Sequence, residues 1–353
     1  MLQLNEYYVA IAPLVNFETL QIEVPLGRDL RIRWMLKDEK KSLSMIYRDI
    51  ESVSHVLERT QGPLESDRKP GWMAEEDKRT RELIDDVLSC LRLLRRECVN
   101  VLCYSTTLQR ERVDVAARLS DHVTGIKPST CEEYGHFTYR LEEQKLQEFW
   151  QSYSQRVLPA YLRRAIRSFN HGIDEKHADD RLQDYVTGLE TIFVQDDKEL
   201  GYKLQIRAAT LLNSGEERGF IYEAMKEAYR VRGGVAHGSP IKKIEIGKRT
   251  LDLARLNELL ETYLRYAIRG CLMIQNAGME FKPEDLDSLL LDPECVKELC
   301  NVVQHFQRQF MLCLFCGSAT RGDNEYCEVC GTRQQITRHR CIDQKACGAM
   351  PQT

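Results

Sequence analysis

The chain has 353 residues, 42% hydrophobic and 29% charged, which gives room for two or three domains and excludes a disordered composition. Its 50 basic residues are outnumbered by 54 acidic ones, for a net charge of −4, so any contact with nucleic acid must be local rather than global. Nine of the thirteen cysteines lie outside a tight C-terminal cluster and show no framework of disulfide spacings, no run of about 18 apolar residues occurs, and the start lacks a basic-then-apolar leader, so a cytoplasmic chain without a membrane partner is expected.

In chain order, residues 20–26 (L-Q-I-E-V-P-L) and 30–35 (L-R-I-R-W-M) alternate apolar with polar around Gly27-Arg28-Asp29, which predicts a β-hairpin. Leu43, Ile46, Ile50, Val53 and Leu57 recur at helical intervals and predict a helix within 37–59, broken by Gln61-Gly62-Pro63. A polar loop then leads to Gly71. A helix is predicted from Thr80 to Leu94, with Leu83, Val87, Leu91 and Leu94 on one stripe. Residues 99–115 read as a strand pair, V-N-V-L-C-Y and R-V-D-V, around a polar turn. Cys90, Cys98, Cys103 and Cys271 lie among apolar neighbours and suit small buried side chains. Residues 1–135 thus form an α+β region to which no chemistry is assigned.

From residue 141 the helical signal dominates. Leu146, Phe149, Trp150 and Tyr153 form one stripe, Leu162, Ile166 and Phe169 another, and Pro159 separates them. Arg163, Arg164 and Arg167 make a basic edge, which is usually a solvated face and only sometimes a phosphate track. His171 and His177 are read as surface residues flanking a loop at Gly172. The helix from Asp180 to Val194 carries Glu190 in a mostly apolar stretch, and a buried carboxylate needs a partner. Two partners are open, Arg207 across the bundle or His237, and the structural pair with Arg207 is favoured. Leu200–Leu212 is the next helix, closed by Asn213-Ser214-Gly215.

The stretch 223–238 reads E-A-M-K-E-A-Y-R-V-R-G-G-V-A-H-G, an amphipathic run stopped by Gly238 and Pro240. His237 therefore belongs at a helix C-terminus, where an imidazole can give or take a proton. Arg232 lies five positions earlier, about 140° around the helix, and Arg230 seven earlier and nearly in line. Either guanidinium can hold a phosphate through two hydrogen bonds. Alone, the pattern reads as solvated arginines and a capping histidine. A long helix, Leu251–Ile274, follows, and four or more such helices joined by short breaks form a bundle.

Three segments in order carry a family likeness: D-R-L-Q-D-Y-V-T-G-L-E-T-I-F from Asp180, E-L-G-Y-K-L-Q-I-R-A-A-T-L-L from Glu199, and A-Y-R-V-R-G-G-V-A-H-G from Ala228. Together they resemble the ApeA-like branch of the HEPN family, and the front-end P-L-V-N-F with its strand pair is similar too. The resemblance implies a mainly α fold, a HEPN-type helical bundle over 136–278. It also implies a metal-independent endoribonuclease, with RNA as substrate and a homodimer whose interface holds Arg232 and His237 as catalytic residues. Arg230 and Glu190 are supporting candidates. Bacterial defence against phage, or a toxin-like role, is implied in the same way. One departure is Gly233, followed by Gly234, where the family carries a polar residue after the arginine. Each glycine costs a helix interior roughly 1 kcal/mol against alanine, so the backbone is expected to bend there. A non-catalytic sensor or adaptor binding RNA, nucleotide or protein is the other reading.

Residues 279–310 are read as a helical connector, divided at Pro293. Beyond it, Cys313 and Cys316 form one C-x2-C pair, and Cys327 and Cys330 form a second after ten intervening residues, each pair followed by glycine. Four thiolates on two tight turns suit one tetrahedral zinc ion and predict a zinc ribbon over 311–335. A four-cysteine site leaves no open position, so this Zn2+ is expected to be structural and the ribbon a partner surface, for a protein or for nucleic acid, which its mixed charges do not separate. His339, Cys341 and Cys347 are irregularly spaced, and 336–353 is expected to be a disordered tail.

Overall fold

The computed structural model describes residues 6–299 except 18, 20, 46, 63, 65–68, 95–98, 111–121, 126–142, 156, 195–197, 213–217, 239–242 and 280. The expected zinc ribbon, with Cys313, Cys316, Cys327 and Cys330, and the expected tail lie outside the described residues, as does Cys98.

The N-terminal region is organised on β1 (Glu6–Val15), a strand buried on both faces. Tyr8, Ala12 and Leu14 look toward α2 (Trp72–Leu94), and Val9 and Ile11 look the other way. Around it lie β2 (Glu23–Pro25), β3 (Leu30–Trp34), β4 (His55–Gln61), β5 (Asn100–Val101), β6 (Cys103–Arg110) and β7 (His122–Gly125). The sheet runs β2-β3-β4-β1-β6-β7, antiparallel throughout, with β5 also on β1. The expected hairpin is β2–β3, in the register Val24↔Ile32.

The predicted helix over 37–59 is corrected. Only Lys37–Ser44 is α-helical (α1), a 3-10 turn covers Arg48–Ser52, and β4 follows. Leu57 packs into the core opposite Ala12 and Ile32, while its neighbour Glu58 receives Arg31 and Arg33 on the other face. The helical spacing of Leu43 through Leu57 therefore spans three elements. A central strand buried on both faces lacks the alternation that marks a strand, and pairing to β1 and β3 overrode local preference. Likewise the segment taken as a polar turn after Tyr104 continues as strand, Thr106 and Thr107 facing Ala10 and Val9, and R-V-D-V lies outside the described residues.

The helical part comprises α3 (Glu143–Ser154), α4 (Ala160–Asp174), α5 (Ala178–Phe193), α6 (Leu200–Leu212), α7 (Arg218–Ala236) and α8 (Leu253–Asn276). Pro159 caps α4, as its fixed φ allows. A short hairpin, β8 (Ile244–Ile246) and β9 (Arg249–Leu251), links α7 to α8 and was not foreseen. After α8 come a 3-10 turn at Pro283–Asp285 and α9 (Leu286–Leu291), and the helix resumes at Pro293. The loop expected at Gly172 is corrected too, because His171 and Gly172 lie inside α4. Gly172 is small because the Tyr185 ring occupies the place of a side chain, and at Gly188 an added Cβ would sit 2.6 Å from Leu264.

The molecule is thus mostly helical with a small N-terminal sheet. One continuous apolar core runs from the sheet through α2 into the bundle. At that junction Arg92 of α2 pairs with Asp174 of α4 at 2.7 Å, and its carbonyl accepts from Arg265 Nε of α8 at 3.1 Å. Among the described residues no helix is long and apolar enough to cross a membrane.

Candidate functional site at the end of helix α7

Helix α7 is uninterrupted through Gly233 and Gly234 and ends at Ala236, so the glycines do not break it. The helical hydrogen bonds and the buried stripe of Ile221, Ala224, Met225, Ala228 and Val231 keep it helical despite the low glycine propensity. No heavy atom lies within 4 Å of a Cβ built on Gly233. His237 is the first residue past the helix, and its N–H donates to the Gly234 carbonyl at 3.2 Å. Gly238 follows with φ +65°, the left-handed stop that glycine takes without strain, and its N–H donates to Val235 O at 2.9 Å. The cap leaves the His237 side chain exposed.

Arg232, one and a half turns earlier, points to α5. Its Nη1 meets Glu190 Oε1 at 2.5 Å, with 31% of the arginine and 16% of the glutamate side chain exposed. The guanidinium also lies over the Tyr229 ring, Cζ 5.9 Å from the centroid. Tyr229 is seated against α6 because Gly201 has no side chain, for a Cβ there would lie 3.0 Å from the ring. Arg232 is therefore positioned from three helices. Burial raises the Glu190 pKa above its ordinary value, and the charge and hydrogen bond of Arg232, with the charge of Arg164, only partly offset it.

The expected Glu190–Arg207 pair does not form. Arg207 holds Asp287 of α9 through Nε at 2.8 Å and Nη2 at 2.7 Å, and donates to Phe193 O at 2.6 Å. It ties α5, α6 and α9 together, while Glu190 faces α7. Sequence shows that a buried carboxylate needs a cation, but not which arginine the packing brings to it. Arg230 is engaged elsewhere, with Glu227 at 2.7 Å and the Lys243 carbonyl at 3.2 Å. It faces the β8–β9 hairpin. Among the described residues the His237 side chain has no hydrogen bond to Arg232 or Glu190, so the two motif residues share one helix end with no hydrogen bond between their side chains. Tyr229, Gly201 and Arg164 were not singled out as site residues. The E-L-G-Y and A-Y-R-V-R segments held the signal, but their contact is decided by the packing of α6 on α7.

Other buried ionic clusters are structural. Tyr8, Tyr104 and Tyr153 donate to Asp77, Asp85 and Asp86 of α2, clamping the sheet and α3 to that helix. Burial pushes the Cys103 and Cys271 thiols up to about 12 and raises Cys90 as well, which makes all three inert. Among the described residues no cluster of histidine, cysteine and carboxylate groups could hold a metal ion. No family model, curated protein or solved structure matches the chain.

Proposed function

We propose that the chain is a metal-independent endoribonuclease that cuts RNA with Arg232 and His237. The observation that carries this reading is the placing of Arg232 by Glu190 and Tyr229 at the same helix end that leaves His237 exposed. It adds to the ApeA-like HEPN resemblance of residues 180 to 238. In this mechanism the His237 imidazole takes the proton from a ribose 2′-hydroxyl, the 2′-oxygen attacks the adjacent phosphorus, and the 5′-oxygen leaves with a proton. Arg232 stabilises the charge on the phosphorane, and Glu190 keeps its guanidinium oriented. Two copies with their α7 ends facing about a two-fold axis would pair these groups, one imidazole accepting a proton and the other donating one. The C-terminal cysteines would fold a zinc ribbon around one structural Zn2+ that docks a protein partner. Antiphage defence suits an enzyme of this class.

The test is incubation of mixed cellular RNA in EDTA with the wild-type protein and with Arg232→Ala/His237→Ala. The wild type is expected to leave 2′,3′-cyclic phosphate ends and the double variant to cut at least about 10²-fold more slowly. Cutting of a 2′-deoxy substrate, or equal cutting by the double variant, overturns the mechanism.

A second reading is favoured by the ion pair itself. Arg232 is already neutralised by Glu190, which suits a non-catalytic sensor or adaptor whose arginine is released on binding RNA, nucleotide or protein. That reading expects binding to survive His237→Ala and no turnover by the wild type.

A further inference from the structure

Arg163, Arg164 and Arg167 are all exposed on α4. At 100° per residue they fall within about 100° of the helix circumference, so they form one ridge. Among the described residues none of the three is in an ion pair with a carboxylate. By contrast Arg33, Arg59, Arg92, Arg207 and Arg265 are each tied to an acidic side chain. In a chain of net charge −4 the ridge is a local positive excess.

The ridge also has a defined position. A Cβ on Gly188 of α5 would lie 3.3 Å from Ser168 Cβ of α4, and Gly172 faces Tyr185, so the two helices run antiparallel. Arg164, one turn before Ser168, is therefore level with the end of α5 that carries Glu190. Its charge acts on the Glu190 carboxylate, and that carboxylate grips Arg232. The ridge therefore ends beside the Glu190–Arg232 pair of the candidate site.

We propose that Arg163, Arg164 and Arg167 form a phosphodiester track that leads single-stranded RNA to Arg232 and His237. This rests on the ribonuclease reading and adds where the substrate strand lies. Guanidinium groups are weakly hydrated and hold phosphate oxygens by paired hydrogen bonds, and Arg163 and Arg167, four apart, stand about 6 Å from each other at Cβ. A strand following the ridge arrives at Arg232. An anionic membrane needs no such alignment with the site.

The test uses the full chain with His237→Ala to silence cutting, and adds Arg163→Gln, Arg164→Gln and Arg167→Gln together. Binding of a short single-stranded RNA of mixed sequence is measured from about 50 to about 200 mM salt. Three lost phosphate contacts are expected to weaken binding at least about tenfold at the low-salt end and to flatten the slope of log K against log salt by about 2. In the chain with His237 intact, the triple variant should cut more slowly while its products keep the same ends. An unchanged affinity and slope, with RNA still cut by the wild type, overturns the track and leaves the ribonuclease standing. A wild type that neither binds nor cuts RNA overturns both. Loss of binding to anionic phospholipid vesicles with RNA affinity unchanged assigns the ridge to a membrane and overturns the proposal. Thermal melting of the triple variant close to that of its parent shows that the exposed substitutions left the fold intact.

Discussion

Glu190 on α5 and Arg232 on α7 are 42 residues apart in sequence and meet at 2.5 Å across the bundle. Burial nevertheless outweighs the arginine in setting the Glu190 pKa, which stays above its ordinary value of 4.5. A carboxyl whose folded pKa is raised contributes stability that is fully present below the unfolded pKa and lost as pH rises through the folded value. Glu190→Gln keeps an acceptor for Arg232 and mimics the protonated acid. It is expected to melt at or above the wild-type temperature at pH 7 and to lose that advantage toward pH 4.5, as thermal melts across this range will record.

The two arginines considered for Glu190 should separate in a stability measurement. Arg207 is 3% exposed in its side chain and joins Asp287 to the Phe193 carbonyl, so Arg207→Ala is expected to cost about 2–3 kcal/mol in urea denaturation. Arg232 is 31% exposed, and solvent screening limits Arg232→Ala to about 1 kcal/mol or less. Equal costs would mean that Arg232 is as structural as Arg207.

Gly233 and Gly201 are both helical glycines and should respond in opposite directions to alanine. Gly233 has open space around a built Cβ, so Gly233→Ala should stabilise α7 by about 0.5–1 kcal/mol. At Gly201 the new methyl would press on the Tyr229 ring, so Gly201→Ala should lower the melting temperature and slow RNA cutting by moving Arg232. Cutting by Gly201→Ala at the wild-type rate would detach Tyr229 from the site.

The proposed zinc ribbon predicts one zinc ion per chain. Atomic absorption on the purified protein should find that stoichiometry, and Cys313→Ser with Cys327→Ser should abolish it. Chelation is expected to leave the helical circular-dichroism signal of the bundle in place, because the core of the described residues is built without those cysteines.

Sequence by itself determined the helices whose apolar residues recur every 3.6 positions, α5 through α8 above all, because that period depends only on neighbours along the chain. It also placed His237 at a helix end, since Gly238 is a local stop. What only the tertiary structure decided involves partners distant in the chain. His55–Gln61 is a strand because β1 and β3 flank it, and the Ser- and Thr-rich stretch after Tyr104 is a strand because β1 accepts it. Glu190 chose Arg232 over Arg207, and Tyr229 found the gap at Gly201, because the packing angles of α5, α6 and α7 set which side chains come within reach. Those angles follow from burying many side chains at once, a collective outcome that no local pattern of residues encodes.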